Sequence, residues 1–180
     1  MSETTEPFTP ADAFGLLRSY SRHRDFVRLA LLTVQHAIER RGLVHDASKM
    51  ADDEFAGFAR INAAARIHKF GSPEYAEAMK VERPTIDRHF ARNPHHVEFY
   101  AEHPDALVNN RGAEGMTFLD VIEMVCDWWG ARKGYDDPRS WLDTVELNFK
   151  QKGKHLSREQ LWLAREVATF LAQQAPEGAR

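Results

Sequence analysis

The sequence predicts an all-α protein, and three observations carry that expectation. Apolar residues recur at helical spacing along much of the 180-residue chain. Serine, threonine and proline stand at helix-start positions ahead of those runs. No run of alternating β-branched residues occurs, and no Asn-Gly or Asp-Gly turn joins such runs.

Taken in order, Thr9, Pro10 and Asp12 form the first start signal, with proline where its missing N–H is harmless. Leu16, Leu17, Phe26, Val27, Ala30, Val34 and Ile38 continue at helical spacing, and Gly42 is the expected stop. Ser72-Pro73-Glu74 opens a helix reaching about Phe90, with Pro84 expected to break or restart it. Asn93 to Gly115 reads as loop-rich, with Pro94, Pro104, Asn109-Asn110 and Gly112. Thr117 caps a helix to about Gly134, and Ser157 with Gln160 makes a capping box for a last helix ending near Gln173. The whole reads as one domain over residues 9–174, with frayed ends at 1–8 and 175–180.

Composition narrows the function classes. At 43% hydrophobic and 28% charged, the chain is an ordinary globular sequence able to fill one core. Its longest apolar stretch, Phe26 to Thr33, is interrupted by Arg28 and falls short of a membrane span. The acidic amino terminus lacks the order of a secretory signal, and the single Cys126 forms no intrachain disulfide, so a cytoplasmic location is expected. A net charge of −3 with no block of five like charges argues against a nucleic-acid-binding stripe. The unusual count is nine histidines.

Those histidines fall into patterns. His45-Asp46 offers a neutral nitrogen and an anionic oxygen from adjacent positions, suited to a divalent metal. Lys49 follows at helical spacing and can hold either the carboxylate or a substrate phosphate. Upstream, His23 shares the apolar face of its helix while His36 lies about 140° away, so His23 is the inward candidate. Arg88-His89-Phe90-Ala91-Arg92-Asn93-Pro94-His95-His96 gathers three histidines within eight residues, and two arginines beside them suggest an anionic ligand. Asp120, Glu123 and Asp127 share a face opposite Phe118, Val121, Ile122, Val125 and Trp129. Periodicity favours a solvated acidic face there, although Met124, Trp128, Gly130 and Ala131 would let the helix be covered on both sides. Trp141 and Trp162 are expected in the core, and the apolar residues around them, Leu142, Leu161 and Leu163, suit either the core or a second copy of the chain in a homo-oligomer.

This order of residues resembles the HD-domain superfamily of metal-dependent phosphohydrolases, and more closely a largely uncharacterised family of phages and bacteria. Three places carry the likeness: His23 followed by His45-Asp46-x-Ser-Lys49 with Glu54 and Phe55; Arg92 to His96 with His89 before it; and Glu123-Met-Val-x-Asp127-Trp128. They span about 105 residues. Val97 stands where that family tends to have tryptophan, and Arg88 and Ala91 where histidines are common. The resemblance implies an HD-like helical bundle with the loop-rich segment near a metal site. It implies that His23, His45, Asp46 and Asp127 bind one divalent ion and that His89 with His95 or His96 adds to a second. Mn, Co, Ni, Fe, Zn and Mg all remain open as the ion. Glu54, Asp120 and Glu123 are candidate acceptors that would orient the imidazoles.

The expected chemistry is hydrolysis of a small phosphate ester, with a nucleotide as the favoured substrate, by hydroxide supplied at the metal. Asp46, Lys49 and Glu54 are the candidate catalytic residues, and Lys49, Arg88, Arg92 and Asn93 the candidate substrate contacts. Two other readings fit the same residues: a di-iron oxygenase on the HD fold, and a non-catalytic metal- or nucleotide-binding module.

Overall fold

The computed structural model describes residues 8–68, 72–101, 115–134 and 138–174. Of the expected frayed ends at 1–8 and 175–180, all but Phe8 lies outside the described residues, as does most of the expected loop with Pro104, Asn109, Asn110 and Gly112. The fold is all-α, with no strand among the described residues. No helix there is long and apolar enough to cross a membrane.

The chain divides into two compact units, one ending at Leu43 and one beginning at Val44. Helix α1, Pro10–Val44, accounts for the first. Its start is a reciprocal cap: Thr9 N–H donates to Asp12 Oδ2 at 2.9 Å, and Thr9 Oγ1 accepts from Asp12 N–H at 3.3 Å. Gly42, the expected stop, lies inside the helix. An interior glycine costs only about 1 kcal/mol, which does not end a long helix. The stop comes instead at Asp46, whose φ of 54° and ψ of 18° are left-handed. That conformation turns the chain out of a helix as a terminal glycine would, and the short polar side chain of aspartate tolerates it.

In the second unit a 3₁₀ turn, Ala47–Met50, leads into α2, Asp52–Ile67. Helix α3, Pro73–Val81, is capped by Ser72 Oγ, which accepts from Tyr75 N–H. The restart expected at Pro84 occurs: α4 spans Arg83–Arg92 with the proline in its first turn. A short α5, Val97–Ala101, precedes α6, Phe118–Gly134. Thr117 caps α6 by accepting from Asp120 N–H. Helix α7, Trp141–Lys152, and a further 3₁₀ turn, Gly153–His155, lead to α8, Arg158–Gln174. The capping box at α8 is present, with Ser157 N–H donating to Gln160 Oε1 and Gln160 N–H to Ser157 Oγ.

Helix α6 packs on α7 and α8, while α2 packs on α3, α4 and the first 3₁₀ turn. Val121, Met124, Val125 and Trp128 from α6 meet Trp141, Val145, Ala164 and Ala168 in the core. The indole N–H of Trp141 donates to Ala168 O at 2.8 Å, giving its polar atom a partner inside. Trp162, expected in the core, is 63% exposed. It sits about 200° round α8 from the buried positions Gln160 and Ala164, so burying those turns it outward.

The α2–α4 contact depends on Gly57. A Cβ there would fall 2.6 Å from Thr85 Cγ2 and 2.8 Å from Thr85 Cβ, inside the van der Waals limit. Gly57 lies one turn beyond Glu54 and Thr85 one turn before His89, so this close approach brings two candidate site residues together. Gly57→Ala is expected to separate the helices and destabilise the fold by about 1–3 kcal/mol, read by urea denaturation.

Candidate metal centre

The turn after α4 explains how two adjacent histidines reach the interior. Asn93 precedes Pro94 and adopts an extended conformation, which ends the helix. His96 N–H then donates to Asn93 O at 3.1 Å, closing a tight turn. His95 and His96 are thereby 1% and 8% exposed. His89, one helical turn before Asn93, is 2% exposed.

These rings surround Asp46. Its Oδ1 lies 3.1 Å from His89 Nε2 and 3.3 Å from His95 Nε2. Its Oδ2 lies 3.5 Å from His45 Nε2 and accepts from Lys49 Nζ at 2.5 Å. His45 Nε2 is also 3.3 Å from Asp127 Oδ1, and His96 Nε2 is 3.1 Å from His89 Nε2. Three overlapping groups could each hold an ion: His45, Asp46 and His95; Asp46, His89 and His96; and His95, His96 and Asp127.

The opposite nitrogens face acceptors. His45 Nδ1 and His95 Nδ1 both lie against Glu123 Oε1, at 2.9 and 3.2 Å, and His89 Nδ1 lies 3.1 Å from Glu54 Oε2. Three imidazoles therefore present Nε2 inward while a carboxylate holds Nδ1, the usual arrangement around a metal-ligating histidine. Asp46 Oδ1 and His95 Nε2 are buried and out of line for a hydrogen bond with each other, so each lacks a partner. Burying such atoms is costly unless something else satisfies them, and a divalent cation would satisfy both. The donor set of imidazole nitrogens and carboxylate oxygens suits such an ion.

Charge follows the same logic. Hydrogen bonds to Asp127 and Glu123 push the His45 pKa up to about 10. Burial opposes protonation of His95, but its contacts with Asp46 and Glu123 outweigh burial and raise its pKa. Burial, together with repulsion from His95, Lys152 and His89, holds His96 far below the ordinary imidazole range, so it is neutral. Burial would raise the Asp46 pKa, yet contacts with His89, His95 and Lys49 hold it well below the carboxylate range. His45, with its pKa pushed up to about 10, thus carries a proton at neutral pH in the metal-free protein.

A pH dependence follows. Because the folded pKa of His45 is raised above its ordinary 6.5, its contribution to stability is full below that pH and is lost as pH rises towards about 10. A cation ligated by His45 must displace this proton. Affinity for Mn²⁺ should therefore rise with pH across this interval. Calorimetric titration in two buffers of different ionisation enthalpy should show proton release on binding.

Lys49 is on the 3₁₀ turn, with Nζ 5.0 Å from the Phe58 ring centre and its side chain 30% exposed. His45 and Asp127 side chains, 27% and 23% exposed, make the open side with it, whereas the His89, His95 and Glu54 side chains form the closed side. Arg92 is engaged by Asp53, at 2.6 and 2.9 Å, and by Glu54 Oε1 at 2.9 Å. Arg88 donates to Asp53 O at 2.8 Å. Asn93 donates to Ser48 Oγ and to His89 O. His23 is on α1, in the other unit, where it is exposed, and is in none of the three groups; His36 is exposed on the same helix.

The acidic face of α6, expected to be solvated, is covered. Asp120 is 2% exposed, accepting from Tyr100 O–H and from Thr117, and Glu123 and Asp127 face the histidines. Burial of Met124 and Trp128 on that side shows why: α6 has neighbours on both faces, so the opposition of acidic and apolar stripes does not mark the solvent. Of the three candidate orienting acids, Glu54 and Glu123 contact imidazoles, while Asp120 serves the start of α6. Ser48, not singled out from the sequence beyond its place in His-Asp-x-Ser-Lys, contacts Glu54 and His89.

A family model described as a family of unknown function, DUF5662, matches residues 13–175. No curated protein and no solved structure matches.

Proposed function

The chain belongs to DUF5662, a family of unknown function, and we propose that it is a cytoplasmic, metal-dependent phosphohydrolase acting on a nucleotide or another small phosphate ester. The observation that carries this reading is the inward convergence of His45, His89 and His95 Nε2 on the Asp46 carboxylate, with His96 Nε2 against His89 Nε2 and two buried atoms left without partners. The order of these residues, similar to that of HD-domain phosphohydrolases, supports the choice of reaction.

A divalent ion held there would supply an activated water and polarise a phosphoryl oxygen. Asp46 and the histidines would hold it, and Asp127 would add a carboxylate from α6. Lys49, on the open side, would neutralise phosphate oxygens as charge shifts in the transition state. Its ion pair with Asp46 Oδ2 also leaves Oδ1 to face His89 and His95. The buried side, with Arg92 engaged by Asp53 and Glu54, serves to hold the rings.

The test is metal content of the purified protein followed by phosphate release from a nucleotide panel with added Mn²⁺, Co²⁺ or Ni²⁺. Lys49→Ala should keep the metal and lose activity at least 100-fold, an effect of the size expected for one charge-stabilising group. Coloured, iron-rich protein that consumes oxygen would favour an oxygenase instead. Bound metal with no turnover of any kind would favour a binding module.

A further inference from the structure

The hydrogen-bond partners around the outer nitrogen of His89 leave Glu54 as the group that selects its tautomer. Three polar atoms lie near His89 Nδ1: Glu54 Oε2 at 3.1 Å, Ser48 Oγ at 3.0 Å and Asn93 Nδ2 at 3.0 Å. The amide of Asn93 has two hydrogens, and both are used, one on His89 O at 2.7 Å and one on Ser48 Oγ at 2.9 Å. The first of these also fixes the amide orientation, since reversal would set two carbonyl oxygens against each other. Ser48 has one hydrogen, donated to Glu54 Oε2 at 2.9 Å. A bond to a carboxylate is stronger than one to a neutral nitrogen, so it keeps that direction. Among the described residues no donor remains for Nδ1, and what faces it is a carboxylate oxygen of Glu54, an acceptor.

We infer that Glu54 is a positioning residue that keeps a proton on His89 Nδ1, with Ser48 and Asn93 disarmed as competing donors, so that Nε2 alone serves as the ligand nitrogen. This rests on the metal reading only for the use made of Nε2; the site of the proton does not depend on it. Arg92 completes the device by holding Glu54 Oε1 at 2.9 Å, which fixes which oxygen meets the imidazole. The same contact makes Glu54→Gln informative. Arg92 would retain the amide oxygen on its side, and the new NH₂ would point at His89 Nδ1 as a donor. Nδ1 would then lose its proton, and Nε2 would carry one and cease to be a free ligand.

The experiment is ¹⁵N NMR of histidine-labelled, metal-free protein, in wild type and Glu54→Gln, with helicity checked by circular dichroism and Zn²⁺ affinity measured in parallel. A protonated Nδ1 of His89 in wild type, becoming bare in Glu54→Gln with Zn²⁺ binding weakened about 10- to 100-fold, supports the inference. A bare Nδ1 in wild type overturns it, as does a Glu54→Gln protein with Nδ1 still protonated and affinity within threefold. Should Glu54→Gln not fold, the wild-type spectrum alone decides. If wild type binds no Zn²⁺ yet shows Nδ1 protonated, the metal reading fails and the role of Glu54 in setting the proton stands.

Discussion

Asp46→Asn is expected to remain folded and to lose at least 100-fold in affinity for divalent ions, about 2.7 kcal/mol. Asparagine is nearly isosteric with aspartate and accepts the left-handed backbone at φ 54° as readily. The substitution therefore isolates the charge from the turn. What disappears is the anion that lies within 3.5 Å of His45, His89 and His95 and takes the Lys49 ammonium at 2.5 Å. Asp46→Ala should lose metal equally and be less stable than Asp46→Asn by about 1 kcal/mol, because alanine is strained in that conformation. Metal content after dialysis and urea denaturation separate the two effects. Full metal occupancy in either variant would contradict the assignment.

The second large effect is expected at Glu123. One oxygen, Oε1, takes Nδ1 of both His45 and His95, so a single substitution releases two rings. Loss of one such outer partner commonly weakens metal binding 10- to 100-fold. Glu123→Ala should reach the upper end of that range or beyond, because His45 and His95 lose their orientation together. Glu123→Gln keeps an oxygen at the same place and should lose only about tenfold. Equilibrium metal titration of the two variants checks the order, and equal loss in both would show that charge rather than ring orientation is what Glu123 provides.

Much of the helical framework could be read from local signals, because caps are local chemistry. Thr9 with Asp12, Ser72 with Pro73, Thr117 and the Ser157–Gln160 box each mark a helix start that the structure contains. The end of α1 was not legible at Gly42, since a glycine permits a stop without imposing one, and the left-handed residue proved to be Asp46. Trp162 and the acidic face of α6 depend on which neighbours a helix has, and no spacing within one helix contains that information. At the site, histidine and aspartate identity pointed to His45, Asp46, His89, His95 and His96, which the fold brings together. The spacing could not assign Asp127, which the resemblance supplied and the fold places at His45. Partners such as Gly57 with Thr85 and Asn93 with Ser48 arise from helix packing and from a turn between distant segments.

Titrating metal-free protein with Mn²⁺ or Zn²⁺ by calorimetry at pH 8 tests most directly whether this cluster is a divalent-metal site. Saturable binding of at least one ion per chain, with proton release and with loss of binding in Asp46→Asn, is the predicted result. No saturable binding to the wild-type protein, or binding unchanged by Asp46→Asn, would contradict it.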